Sequence, residues 1–390
     1  MSTRAFHFDF PELLLGTAED KRGPTGVTAI LFPTGAQVAC DARGGAVAAR
    51  EVLSADPLNE WGECDGVVFA GGSTYGLEAA SGVMRKVLEA RGTVDGMEIP
   101  SVPAAVVYDF AGRSNQVFPD AALGAEAFDK AKPNEVVIGR AGAGANTSVG
   151  HFFGDEYAQK SGQGAAFIEV GGLKIFALCV VNALGNIRDR AGRFVAGGRP
   201  PGAADIVDVA SHLYHLIETE SGHASDPDKA PSVAPIFDAE EGAAKRKAPP
   251  KGAERIAAGD APPKAYQPKT KSHDDDVVEA KDAPVDDVEA SGDAGDGEAK
   301  QGRKGPGKST TLTCVVTNVA LNRLELKRVA VMVHGALGRV VDPFHTPEDG
   351  DIAFACSTAS LKMPKNTTVA DVGVLAGRCA QDAVLSTFST

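Results

Sequence analysis

Lys308-Ser309-Thr310-Thr311-Leu312-Thr313-Cys314-Val315-Val316-Thr317-Asn318 is a seam in the chain. To its left runs a long, charged, Pro- and Gly-rich stretch with little apolar mass; to its right a strand begins at once. A Thr hydroxyl is a weak nucleophile that needs a neighbouring base. A free α-amine titrates near about 7.7–8, so part of it is neutral at pH 7 and accepts the hydroxyl proton. Cutting the bond before Thr310 would create that amine on the nucleophile itself. The same hydroxyl, attacking the preceding carbonyl, would make the cut. The plainer alternative is a linker that ends on Ser-Thr-Thr and opens a Thr-rich strand, and on three residues alone it is the commoner case.

Working outward, 390 residues allow one large domain or two, with ample core. A hydrophobic fraction of 43% predicts a soluble, globular chain. The net charge of −13 argues against a nucleic-acid or anionic-membrane partner. The first ten residues hold no apolar stretch of signal-peptide length, and no run approaches the roughly 18 apolar residues of a membrane span. Cys40, Cys64, Cys179, Cys314, Cys356 and Cys379 are scattered without a CxxC or Cys/His cluster, which disfavours zinc. The expected setting is a reducing cytoplasm.

To the left of the seam, residues 239–308 contain no Leu, Phe or Trp and carry runs such as Asp274-Asp275-Asp276. Such a segment cannot offset its chain entropy by burial and reads as a disordered linker. A structureless insert of this length either separates domains or is tolerated because the chain is cut at one end. The piece 310–390 is too small and too open-faced to be a domain. Its strand is expected to join sheets built by residues 1–238.

Those sheets are predicted from apolar runs at Val27–Phe32, Gln37–Cys40, Asp65–Ala70, Ala104–Phe110, Val136–Ile138, Leu173–Val181, Leu312–Val319 and Ile352–Cys356. Helical spacing predicts helices from Ser73, over Pro119–Ala131, Ala203–Glu218, Asn322–Leu337 and Val369–Ser386. Ser73 reads as an N-cap. Gly71-Gly72 before that helix could hold an anion or oxyanion, or simply make a tight turn. The loop from Gly139 to His151 lacks the Gly-Lys-Ser/Thr of a phosphate loop and the spacing of a dinucleotide fingerprint, so it predicts close backbone packing around a site. Asn182 ends a buried strand, and its amide must satisfy loop backbone or point into a cleft. Asp349-Gly350-Asp351 pairs two carboxylates that suit an ammonium, or is a solvated turn.

Taken together these runs resemble the self-cleaving aminopeptidases that include L-aminopeptidase/D-esterase, the β-aminopeptidases and the endo-type 6-aminohexanoate (nylon) oligomer hydrolases, with the last group most similar. The matching stretches are Phe8–Pro11, Gly23–Gly26, Val38–Val47, Gly76–Ala79, Val107–Phe110, Gly139–Gly144, Gly162–Phe167, Asp189–Gly192, Thr310–Thr311, Val316–Val319 and Pro343–Thr346. They cover the chain in the family's order, the linker apart.

The resemblance implies an α+β fold, a four-layer αββα sandwich like the N-terminal-nucleophile (Ntn) hydrolases. It implies cleavage at Ser309–Thr310, with Lys308–Ser309 as the alternative bond because Ser309 replaces the family's usual Asn. Thr310 would be the nucleophile, Asn182 an oxyanion donor, Tyr108 a site tyrosine, and Asp349 and Asp351 the acidic pair beside the nucleophile's amine. Where the family usually has lysine the chain has His151, which can act as a neutral hydrogen-bonder; Lys160 is the alternative cation. No metal or organic cofactor is implied. The implied partners are a linear amide or peptide substrate and further copies of the chain in a ring-like or tetrameric homo-oligomer. Nylon-type oligoamides, a peptide, or another linear amide would serve as substrate. An aminopeptidase of α- or β-peptides, an acyltransferase of the ornithine-acetyltransferase type and a non-catalytic processed protein are the rival functions.

Overall fold

In the computed structural model the run after the seam is a strand, Thr310–Val319, buried along its whole length. The structure describes residues 3–60, 62–92, 99–220 and 309–389. The expected linker, 239–308, lies outside the described residues, which all belong to one compact unit.

Eight strands and five helices position the site. They are β1 (Leu14–Asp20), β2 (Thr25–Ala42), β3 (Glu63–Ala70), α1 (Glu78–Arg91), β4 (Ala104–Val106), α2 (Ala121–Asp129), β5 (Gln163–Val170) and β6 (Leu173–Asn182). Then come α3 (Val209–Glu220), β7 (Thr310–Val319), α4 (Arg323–Leu337), β8 (Ile352–Leu361) and α5 (Val369–Ser386). Their order in the main sheet is β5-β6-β7-β8-β2-β3-β4, with β1 beside the first half of β2. The pairs β7–β8 and β3–β4 are parallel and the other neighbours antiparallel. The piece after the seam fills the middle of this sheet: β7 pairs with β6 on one side, and β8 pairs with β2.

The two short apolar runs predicted at Val27–Phe32 and Gln37–Cys40 are one strand of 18 residues. Its register shifts between Leu31 and Ala36, where the turn-like Pro33-Thr34-Gly35 bends it without ending it. The first half of β2 pairs with β1 and β3, the second half with β8. Side chains alternate along a strand, and here the alternation reaches three separate cores. Ile30, Phe32, Val38 and Cys40 enter a middle core together with Phe69, Phe176, Leu178, Leu312, Cys314 and Phe354. Val27, Ala29 and Leu31 face α1 and α2. Ala39 faces the core under α4 and α5. Three cores separate four layers, helix, sheet, sheet, helix. Each large side chain in the middle core contributes on the order of 2–3 kcal/mol by burial.

Helix ends follow local chemistry. Asn322 caps α4 and Thr368 caps α5, each in a reciprocal capping box, with Glu325 and Asp371 returning the bond. Two expected starts are displaced. The helix expected from Ala203 begins at Val209, because Asp208 accepts the Ser211 N–H at 2.8 Å and acts as the cap. Ser73 is not an N-cap: its φ is 53°, in the left-handed region, and it opens a 3₁₀ turn (Ser73–Leu77) that precedes α1. The strand expected over Ala104–Phe110 stops at Val106. Beyond it the chain turns so that the buried Asp109 carboxylate accepts the Gly72 N–H at 2.9 Å. Gly71 N–H goes to Gly26 O and Ser73 N–H to Val107 O. The Gly71-Gly72 turn is therefore satisfied by the protein's own groups. All six cysteines are free and buried, as small core residues.

Candidate active site

The β6–β7 register sets Asn182 directly opposite Thr310. Both lie at the same end of the sheet, where β8 begins. Here Asp349-Gly350-Asp351 folds back onto the seam, and Ser309 bridges Asp349. Ser309, Thr310, Asn182, Asp349 and Asp351 are all buried. The turn is thus no solvated hairpin.

The Ser309 carbonyl oxygen, on the bond before Thr310, accepts two hydrogen bonds. The Thr310 hydroxyl donates at 2.6 Å and the Gly350 N–H at 2.8 Å. One carboxylate serves each side of the bond. The Ser309 hydroxyl donates to Asp349 Oδ1 at 2.5 Å, and the Thr311 N–H donates to Asp351 Oδ1 at 2.7 Å. The remaining oxygens are held from the turn itself. Asp349 Oδ2 accepts from the Thr346 N–H and hydroxyl, both at 2.9 Å. Asp351 Oδ2 accepts from the His345 N–H at 3.1 Å and from its Nδ1 at 3.0 Å.

Close approach is permitted by two glycines. A Cβ on Gly350 would stand 2.6 Å from the Thr310 hydroxyl oxygen. A Cβ on Gly44 would stand 2.2 Å from Asp349 O and 2.4 Å from Asp351 N. The loop after β2 therefore clamps the acidic turn, and Arg43 and Gly44 N–H groups bond to Asp351 O.

Burial pushes the Asp351 carboxyl up to about 6; the bond from His345 pulls it down, and the neighbouring Asp349 adds to the rise. Such a group changes charge near neutrality.

On the β6 side, Asn182 Oδ1 accepts the Ser148 N–H at 3.1 Å, and its Nδ2 donates to Tyr108 O at 3.1 Å. Tyr108 thus meets Asn182 through its carbonyl, while its half-buried ring packs edge-on against Phe110. His151 sits one step further out. Its Nδ1 bonds Asp155 at 2.7 Å, and its Nε2 faces Ser148 O at 3.1 Å. Both ring nitrogens are taken up by Asp155 and Ser148, and neither bonds Thr310. The His151 bond holds the Asp155 carboxyl below the usual range. Lys160 lies opposite Ser148 in a short ladder and donates to Asn146 Oδ1 at 3.0 Å. Asn146 in turn donates to Asp109 O at 2.8 Å. Burial holds the Lys160 ammonium below its ordinary pKa.

The structure therefore brings together Thr310, Ser309, Asn182, Asp349 and Asp351, with Tyr108 at the Asn182 amide. Sequence reading missed Gly350 N–H, Thr346 and His345. The Pro343–Thr346 stretch was visible as a motif, but nothing in its spacing says that it caps two carboxylates.

The sequence profile of Peptidase family S58 matches residues 8–389. The chain belongs to peptidase family S58. It is an enzyme of amide-bond hydrolysis. It is 32% identical over 388 residues to a protein named 6-aminohexanoate-oligomer endohydrolase from Agromyces sp. (strain KY5R), covering 97% of this chain and 84% of the other. A protein of the same name from Paenarthrobacter ureafaciens shows 32% identity with the same coverage. An uncharacterized aminopeptidase of Mycobacterium tuberculosis (strain ATCC 25618 / H37Rv) is 29% identical over 375 residues, covering 93% and 84%. Among solved structures, a β-aminopeptidase of Burkholderia sp. aligns with a TM-score of 0.53 at 15% identity, covering 97% of this chain and 84% of that one. The L-aminopeptidase D-Ala-esterase/amidase from Ochrobactrum anthropi, described as a variant among the Ntn hydrolase fold, aligns with a TM-score of 0.52 at 16% identity, covering 96% and 83%. The S58 fold of this chain is accordingly of the Ntn-hydrolase type, as its four layers suggest.

Proposed function

We propose that Thr310 cuts the Ser309–Thr310 bond and then serves as the N-terminal nucleophile of a linear-amide hydrolase. The observation that carries this reading is the doubly bonded Ser309 carbonyl. The Thr310 hydroxyl lies against the carbonyl oxygen at 2.6 Å, and Gly350 N–H, at 2.8 Å, would stabilise the oxyanion of self-attack. Thr310 Oγ1 adds to the Ser309 carbonyl carbon and the peptide C–N bond breaks, leaving an ester and a free Thr310 amine. Water then hydrolyses the ester, and the former Ser309 acyl group leaves as a carboxylate. Asp349 and Asp351 remain to hold the new ammonium.

In turnover the Thr310 amine takes the hydroxyl proton and Oγ1 attacks a substrate amide. Asn182 supports the oxyanion after its amide turns from the Tyr108 carbonyl. The amine product leaves, and water releases the acyl group from Thr310. In this reading the chain matures into two pieces of one domain, 1–238 with whatever remains of 239–308, and 310–390, and assembles as a homo-oligomer. The substrates are linear amides of the kind in the endohydrolases' name. Aminopeptidase activity is the second reading, favoured by the mycobacterial relatives' name. Comparing N-blocked with free-amine substrates separates the two.

The decisive test is intact mass and N-terminal sequencing of the purified protein beside Thr310→Ala. We expect a new N-terminus at Thr310 in the wild type. In the variant we expect an uncut chain with amidase activity at least 10³-fold lower, on the order of the loss of a nucleophile. An uncut wild type with full activity would falsify the mechanism.

A further inference from the structure

Behind the acidic turn two histidines stand back to back, and the mechanism above uses neither. His345 bonds Asp351 through Nδ1 at 3.0 Å. Its ring stacks on Phe344, with centroids 3.7 Å apart, and meets the His334 ring edge-on at 4.6 Å. His334 bonds Asp41 Oδ2 through its own Nδ1 at 3.0 Å. Asp41 also receives Arg43 Nε at 2.5 Å and Lys327 Nζ at 3.0 Å. The Nε2 atoms of both rings are buried with no hydrogen-bond partner. His345 also holds a φ of 62°, in the left-handed region that a residue with a side chain seldom occupies. Strained backbone and two unsatisfied buried nitrogens are costs that packing alone does not repay, and such costs gather at working sites.

We propose that His345 is a positioning residue that acts through Asp351, and that His334 and Phe344 hold its ring for that purpose. The proposal rests on the reading of Thr310 as an N-terminal nucleophile. Two donors of one residue, its N–H and its Nδ1, fix Asp351 Oδ2, which leaves Oδ1 aimed at the backbone beside Thr310. The left-handed backbone is what lets one residue supply both. The charged groups facing His345 are Asp351 and Asp349 on its own turn, His334 with Lys327 beyond it on α4, and Asp41 and Arg43 at the end of β2. Donation to the carboxylate favours its ionised form. His345 thus keeps Asp351 ionised at pH values where burial would otherwise neutralise it, and an ionised Asp351 is what orients the Thr310 amine.

The test compares His345→Ala, which removes the Nδ1 donor, with His345→Asn, whose amide nitrogen can stand where Nδ1 stood and which tolerates the left-handed backbone. The readouts are kcat and KM on one amide substrate from pH 5 to 9, per processed chain, with the cut fraction measured by mass at each pH. We expect His345→Ala to move the acidic limb of kcat/KM up by roughly one pH unit with KM little changed. His345→Asn should keep the wild-type limb. A uniform loss of kcat in His345→Ala with an unmoved limb overturns the proposal, as does an asparagine variant that behaves like alanine. A His345→Ala chain that stays uncut at every pH overturns it too, because action through Asp351 predicts recovery as pH rises. Activity retained by Thr310→Ala would instead sink the nucleophile reading, and this proposal with it.

Discussion

At the scale of the residue, Asp351 is where environment and chemistry meet. It is fully buried, next to a second carboxylate, and titrates near 6 instead of near 3.8. Folding therefore favours its neutral form. The stability that this supplies is complete below about 4, the unfolded value, and is lost as the pH rises through about 6. The shift corresponds to on the order of 2–3 kcal/mol of ionisation cost. In the proposed mechanism the same ionisation lets the carboxylate hold an ammonium, so there stability and function would pull in opposite directions. Two outcomes are expected. In the uncut Thr310→Ala background, adding Asp351→Asn should become progressively less destabilising, or more stabilising, between pH 4 and 7. Denaturant midpoints at each pH measure it. Wild-type kcat/KM should fall below about pH 6, and a pH profile flat down to pH 5 would contradict the role given to Asp351.

At the scale of the element, the clamp between the loop after β2 and the acidic turn decides whether two carboxylates converge. Gly44 has no room for a methyl group against Asp349 O and Asp351 N, both backbone atoms that cannot swing aside. Gly44→Ala should displace the turn and cut processing at least tenfold, read as the fraction of uncut chain by mass. Overall stability should drop by about 1–3 kcal/mol. Much of the element layer is legible in the sequence. Helix α5 has the predicted bounds, Val369–Ser386, and the buried strands announce themselves as unbroken apolar runs. Ser73 and Asp109 mark where legibility ends. Nothing periodic says that Asp109 reaches back 37 positions to seal the Gly72 turn, or that Ser73 turns left-handed. The site divides the same way. Asn182 closes one apolar run and Thr310 opens another, and both can be found by eye, whereas His345 and Gly350 N–H make contacts 6 and 41 positions away in sequence, His345 to Asp351 and Gly350 to Ser309 O.

At the scale of the molecule, the bent strand β2 carries the main sheet from the layer under α1 and α2 to the layer under α4 and α5, and β7 and β8 lie between β6 and β2. The piece after the seam thus supplies the centre of a sheet, not an edge. It also supplies α4 and α5, which cover one outer face. Once cut, the two pieces should migrate as one species in native size exclusion and separate only in denaturant, with the ligand-free complex unfolding in one step. Two species under native conditions would contradict this.

Ser309 and Thr310 are 1% and 6% exposed, so the bond between them is sealed inside the fold. An endoprotease must draw an extended length of backbone into its own cleft, and this backbone is already committed to neighbouring strands. If the seam opens, the blade must therefore come from within. Maturation as proposed would then need no helper and no encounter, and every molecule would keep its own clock however dilute its surroundings.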